Sequence, residues 1–141
     1  MRYVRTFKGF AGIRLEADDI GSADDPSILL LHGPGQTRSI WADVAEDLYQ
    51  AGRHVINLDL RGHGGSEWPD DGRYDFDAYV EDLRAVLAQM RTRPVVVAAS
   101  ASGSIAIAAL AEEAATLAAG LVLLDFAASD GGAMTTTAET N

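Results

Sequence analysis

The chain has 141 residues and no cysteine, with 11 basic against 21 acidic side chains and a formal net charge of −10. That length suits one domain with a real core, and the lack of thiols excludes disulfides, thiolate metal sites and a cysteine nucleophile. An acidic surface with no basic cluster repels phosphate backbones, so nucleic acid is not an expected partner.

In chain order, residues 2–8 and 13–17 read as short strands around Gly9 and Gly12, a hairpin at a sheet edge. Asp18 to Ser27, rich in Asp, Gly and Ser, reads as a loop whose acidic pairs Asp18-Asp19 and Asp24-Asp25 are solvated. Ile28 to Leu31 is apolar throughout, as in a strand covered on both faces. Residues 39–51 carry Ile40, Trp41, Val44, Ala45 and Leu48 at helical spacing, with Ser39 as N-cap and Gly52 as the stop. His54 to Leu60 is the next strand. Residues 75–90 place Phe76, Tyr79, Val80, Leu83, Val86, Leu87 and Met90 on one stripe, an amphipathic helix opened by Asp75. A strand from Pro94 runs into small residues and a helix over 103–115, and Leu121 to Phe126 is the last strand. Strands alternating with helices imply right-handed crossovers and a parallel sheet. The domain is expected over 1–127, with 128–141 a flexible tail because that segment shows neither periodicity nor a core.

Three segments carry chemistry. Ile28-Leu29-Leu30-Leu31-His32-Gly33-Pro34-Gly35-Gln36 is an apolar strand ending in His-Gly. Val55 to Leu58 leads into Asp59-Leu60-Arg61-Gly62-His63-Gly64-Gly65-Ser66, a D-x-R-G-H-G-x-S pattern. Val95-Val96-Val97-Ala98-Ala99-Ser100-Ala101-Ser102-Gly103-Ser104 has the strand–turn–helix context in which a nucleophile elbow lifts a serine above a sheet. In this order and spacing they resemble the N-terminal half of an α/β-hydrolase, closest in flavour to esterases, lactonases and cofactor-free haloperoxidases. The resemblance covers about residues 3 to 130. It implies an α/β fold: a doubly wound, mostly parallel sheet with helices on both faces, truncated relative to the family by about two strand–helix units.

The resemblance also implies a site. Setting Gly103 two places after the nucleophile puts Ala101 in that slot, and an alanine methyl cannot attack a carbonyl. Shifting the frame gives Ser102 or Ser100 instead, and both serines also read simply as small turn residues at a helix start. One oxyanion donor would be the N–H after the nucleophile, Ser102 in the Ala101 frame. The other would come from the Gly33-Pro34-Gly35 loop, at Pro34, which has no N–H, with Gly35 or Gln36 as substitutes in a displaced loop. In the family the acid and histidine follow the elbow, whereas His32, His54 and His63 all precede it. His32 and His63 read better as loop-bracing residues than as bases, and Asp125 stands where some relatives place an alternative acid.

Two functions stay open on these residues. One is a serine hydrolase acting on a small-molecule carboxylic ester or lactone, its missing parts supplied from elsewhere. The other is a non-catalytic or engineered hydrolase scaffold that binds a small ligand or self-associates. No cofactor is expected for ester hydrolysis, and the three histidines lack metal-ligand spacing. No apolar run reaches the roughly 18 residues of a membrane span, and Met1 to Arg5 lacks the apolar stretch of a secretory signal. A cytoplasmic location, without a membrane partner, is the expectation. An open edge along Leu121 to Phe126 would favour a homodimer through that strand.

Overall fold

The computed structural model describes residues 2–111, 114–126 and 134–138. Its seven-stranded sheet runs in the order β1-β2-β4-β3-β5-β6-β7. Strands β1 (Arg2–Lys8) and β2 (Arg14–Ile20) form the expected antiparallel hairpin. The strands β3 (Ser27–Leu31), β4 (His54–Leu58), β5 (Val95–Ala99) and β6 (Gly120–Phe126) form the parallel centre.

Helices cover both faces, which explains why β3 and β4 are buried without an in–out alternation. On one face, α1 (Ala42–Gln50) brings Ala45 against Ile20, Leu30 and Val55, with Trp41 and Leu48 packed beside them. On the other, α2 (Phe76–Gln89) and α3 (Ser102–Leu110) close over Leu29, Leu31, Ile56, Leu58 and Val96. Of the stripe read in α2, Val80, Leu83, Val86 and Leu87 are buried, joined by Ala78; Tyr79 and Met90 pack partly buried against the core, Phe76 is exposed, and Asp75 is the N-cap. From β3 the chain passes through α1 to β4 on one side, then crosses through α2 to β5 on the other side of β3. Open α/β sheets bind ligands at such a reversal, outside the carboxyl ends of the strands.

Four expectations change. The stretch from Asp18 is not a loop throughout: β2 continues to Ile20, and Asp18 and Asp19 pair with Asn57 and Ile56 of β4. Asp19 is buried and accepts a hydrogen bond from His54 Nε2–H at 2.7 Å, with Arg5 3.3 Å from its other oxygen. The helix expected from Ser39 opens as a 3₁₀ turn over Arg38–Trp41, and Thr37 rather than Ser39 is its cap. The helix expected over 103–115 ends at Leu110, and a short α4 (Ala114–Leu117) precedes β6.

The fourth change concerns the expected tail, which contains a strand, β7 (Met134–Ala138), antiparallel to β6. Its remaining residues, 128–133 and 139–141, lie outside the described residues. The β6 edge expected to stand open is therefore paired, Leu121 with Ala138 and Leu123 with Thr136. An exposed apolar edge was the reason to expect dimerisation there, and β7 removes that reason.

Candidate active site at the carboxyl ends of β3 and β5

Strand β5 ends at Ala99 and α3 begins at Ser102, leaving two residues to turn the chain. Ser100 takes the strained position, with φ at +58°, while Ala101 at φ −66° already has helical geometry. A positive φ on a non-glycine residue costs of order 1–3 kcal/mol and persists only where the surroundings impose it. Here Ser100 N–H donates to Leu124 O at 2.8 Å and Ser100 O accepts from Gly103 N–H at 3.0 Å, so both ends of the corner are held. The side chain of Ser100 is exposed.

The frame centred on Ala101 is thus displaced by one residue. Ala101 lies just past the corner, and the small residues two places either side of Ser100 are Ala98 and Ser102, both buried. Ser102 is fully buried, and its hydroxyl donates to Ala99 O at 2.6 Å. Buried and engaged in this way, the Ser102 hydroxyl is not an accessible nucleophile. With the corner at Ser100, the N–H that follows it belongs to Ala101.

The loop after β3 faces this corner. A Cβ placed on Gly33 would come 3.3 Å from Ser100 Cβ and 3.0 Å from Gln36 Oε1, so glycine is what lets the loop approach so closely. Gly33 N–H donates to Gln36 Oε1 at 3.0 Å, Gly35 N–H to His63 Nε2 at 3.2 Å, and Gln36 N–H to Gly33 O at 3.2 Å. Pro34 has no N–H to offer. The substitutes considered from the sequence, the main-chain N–H groups of Gly35 and Gln36, are both engaged within the loop.

The two histidines beside the loop are braces. His32 is fully buried; its Nε2 accepts from Leu60 N–H at 3.1 Å, so the proton sits on Nδ1 and is donated to Gly33 O at 2.7 Å. The same logic applies to His63, whose Nε2 accepts from Gly35 N–H while Nδ1 lies 2.8 Å from Arg61 O. The two rings lie 4.9 Å apart. His54 is engaged with Asp19 at the opposite ends of the strands. None of the three hydrogen-bonds Ser100. Asp125 is exposed at φ +53°, one residue beyond the Leu124 carbonyl that holds Ser100.

Burial pushes the His32 imidazole below its ordinary pKa, and the nearby His63 pushes the same way. A histidine held neutral in the folded state contributes stability above its unfolded pKa, and that contribution fades as pH falls toward the folded value. The expected result is a loss of folding stability on acidification below about pH 6.5, accompanied by a His32 ring that stays in the Nδ1–H form where an exposed histidine is half protonated. Two-dimensional ¹H–¹⁵N spectra of the imidazoles across pH 5–8 would check this, and a His32 that titrates at or above the ordinary value would contradict it.

Carboxylates tie the surrounding loops. Asp59, buried at the end of β4, accepts from Arg38 N–H at 2.7 Å, from Arg38 Nη1 at 2.5 Å and from Gly65 N–H at 2.9 Å. Arg61 sits fork-to-fork on Asp82 of α2, at 2.6 and 2.9 Å, and Asp82 also accepts from Phe10 N–H at 2.7 Å. The D-x-R-G-H-G-x-S pattern marked the first residue of each pair, but nothing in its spacing named Arg38 or Asp82 as the partner.

A family model described as "Alpha/beta hydrolase family" matches residues 28–139, most of the chain and all of the loop–corner geometry above. The chain belongs to the α/β-hydrolase family. Among curated relatives of this family member, an esterase of Mycobacterium tuberculosis is 35% identical over 105 residues, covering 74% of this chain and 34% of the relative. A Bacillus subtilis AB hydrolase superfamily protein is 32% identical over 117 residues, covering 82% of this chain and 42% of the relative. Among solved structures, an esterase from Exiguobacterium antarcticum superposes with a TM-score of 0.79 at 27% identity, covering 87% of this chain and 45% of that one. The α/β-hydrolase chain thus spans less than half the length of these relatives. Among its described residues no helix is long and apolar enough to cross a membrane.

Proposed function

We propose that this chain carries the nucleophile of a serine hydrolase acting on carboxylic esters or lactones, with Ser100 as the attacking residue. The observation that carries this reading is the exposed Ser100 at φ +58° on the turn between β5 and α3, directly beside Gly33. A strained strand-to-helix corner holds a hydroxyl clear of the sheet, where a carbonyl carbon can reach it. Esterases among the relatives favour the ester class.

In the first step Ser100 Oγ bonds to the carbonyl carbon and gives up its proton. The tetrahedral oxyanion takes a hydrogen bond from Ala101 N–H, then collapses to an acyl-serine and releases the alcohol. Water later cleaves the acyl-serine. In both steps the proton passes to a general base other than His32, His54 and His63, which are engaged elsewhere.

A fluorophosphonate probe tests the nucleophile without needing turnover. Ser100 Oγ forms a bond to phosphorus, fluoride leaves with its electron pair, and the hydroxyl proton passes to buffer base. Intact-mass and peptide mass spectrometry are expected to find a single adduct on Ser100, lost in Ser100→Ala and kept in Ser102→Ala. Ser100→Gly is expected to lose the label and gain about 1 kcal/mol of stability by relieving the positive φ. An adduct on Ser102, or labelling no faster than in the urea-unfolded chain, would overturn the assignment.

A further inference from the structure

We propose that the side-chain amide of Gln36 is the second oxyanion donor at Ser100, standing in for the main-chain N–H that Pro34 lacks. The inference rests on Ser100 being the nucleophile and deepens that reading by naming a residue that touches the reacting atoms.

Acyl transfer is strongly assisted by two donors aimed at the developing oxygen charge. Ala101 N–H supplies one from the helix side of the corner. The loop side is where a second would come from, and its main-chain donors can be accounted for one by one. Gly33 N–H is held by Gln36 Oε1, Gly35 N–H by His63 Nε2 and Gln36 N–H by Gly33 O, while Pro34 has none. The loop is braced from beneath by the buried His32, which fixes Gly33 O, so a peptide flip that frees one of these groups breaks other hydrogen bonds.

The side chain of Gln36 is the remaining donor there. Its carboxamide folds back over Gly33: the point where a Gly33 Cβ would stand is 3.0 Å from Gln36 Oε1, 3.6 Å from Gln36 Cδ and 3.3 Å from Ser100 Cβ. The amide and the nucleophile thus flank the same glycine. Because Oε1 must face the Gly33 N–H it accepts, the orientation of the amide is set and its NH₂ is turned away from that group. Among the described residues that NH₂ donates to nothing. Gln36 is exposed, so a bound substrate can reach it. One functional group therefore does two tasks: the oxygen fastens the loop and the nitrogen is left for the oxyanion.

The two tasks separate by substitution. Gln36→Glu keeps an oxygen for Gly33 N–H and removes the NH₂; Gln36→Met removes both; Pro34→Gly restores a main-chain N–H to the loop. The readout is the second-order rate constant for fluorophosphonate labelling of Ser100, whose phosphoryl oxygen gathers charge as the carbonyl oxygen would. Loss of one such donor is expected to slow labelling about a hundredfold in both Gln36 variants, and adding Pro34→Gly to Gln36→Met is expected to recover at least tenfold. Labelling of Gln36→Met within twofold of the unaltered chain, or a loss that Pro34→Gly does not recover, would overturn the role of Gln36 while leaving Ser100 in place. Failure of the unaltered chain to label at Ser100 would overturn both.

Discussion

Asp82→Ala is expected to destabilise the fold by about 3–5 kcal/mol, a large part of the 5–15 kcal/mol that typically holds a domain together. Asp82 is only 3% exposed and Arg61 2%, and their two hydrogen bonds form a fork in the space between β4 and α2. Removing the carboxylate leaves a guanidinium in the interior with Arg73 O, at 2.8 Å, as its remaining hydrogen-bond partner among the described residues, and it also unbonds Phe10 N–H in the hairpin turn. The penalty comes from the abandoned cation more than from the lost attraction, so replacing both partners at once, as in Arg61→Met with Asp82→Leu, is expected to recover much of it. Urea unfolding of the three proteins would check this. A loss below 1 kcal/mol in Asp82→Ala would show that water reaches Arg61.

The second large effect is expected at Asp59. Asp59→Ala removes the acceptor that ties Arg38 to Gly65 across the site, while Arg38 keeps Glu16 at 2.8 Å and Asp18 at 3.2 Å. With those partners left, the stability cost is expected to be smaller, about 3 kcal/mol. Function is expected to suffer more. Arg38 lies two residues after Gln36, and its main chain is held both through its own N–H to Asp59 and by Asn57 Nδ2 donating to its carbonyl at 2.8 Å. Releasing the Asp59 tie lets the loop beside Ser100 drift, and a displacement of the order of 1 Å at a reacting centre costs up to about a hundredfold in rate. Fluorophosphonate labelling of Asp59→Ala, measured at a temperature where circular dichroism shows it folded, is expected to fall by at least tenfold. Unchanged labelling would show that the His32 brace alone positions the loop.

Much of the architecture was legible because it rests on patterns with one physical reading. Four apolar residues before His32 require cover on both faces, and the α2 stripe at 76, 79, 80, 83, 86, 87 and 90 fits no other period. The family resemblance rested on the order of three motifs, which the matched region spans. The corner residue was not legible, because Ser100 through Ser104 are all small and residue type alone permits three frames. What distinguishes them is a backbone angle, held by the carbonyl of Leu124 from the next strand. Asp19 was missed for a different reason. Its charge suggested solvent, yet Leu15, Ala17 and Asp19 continue one alternating face, and period two carried through the acidic residues would have placed it inside. The strand β7 had a weak signal in the three threonines at 135–137, β-branched residues that the neighbouring glycines outweighed.

The order of strands has a kinetic consequence. The central strand β3 pairs on one side with β4 and on the other with β5, so that Ile28 meets Val55 through one crossover but Val95 only after α1, β4 and α2 have all been placed. Ladders between such distant segments close late, since the entropy of the intervening loop is lost before any contact compensates. During synthesis the half-built sheet presents the β3 side destined for β5 as an unpaired apolar ribbon until residues near 99 have left the ribosome. This chain is therefore expected to refold on the slow side for its size, in the range of milliseconds to seconds or longer. Its yield should depend on concentration through association at that transient edge, even though β5 covers it in the finished molecule.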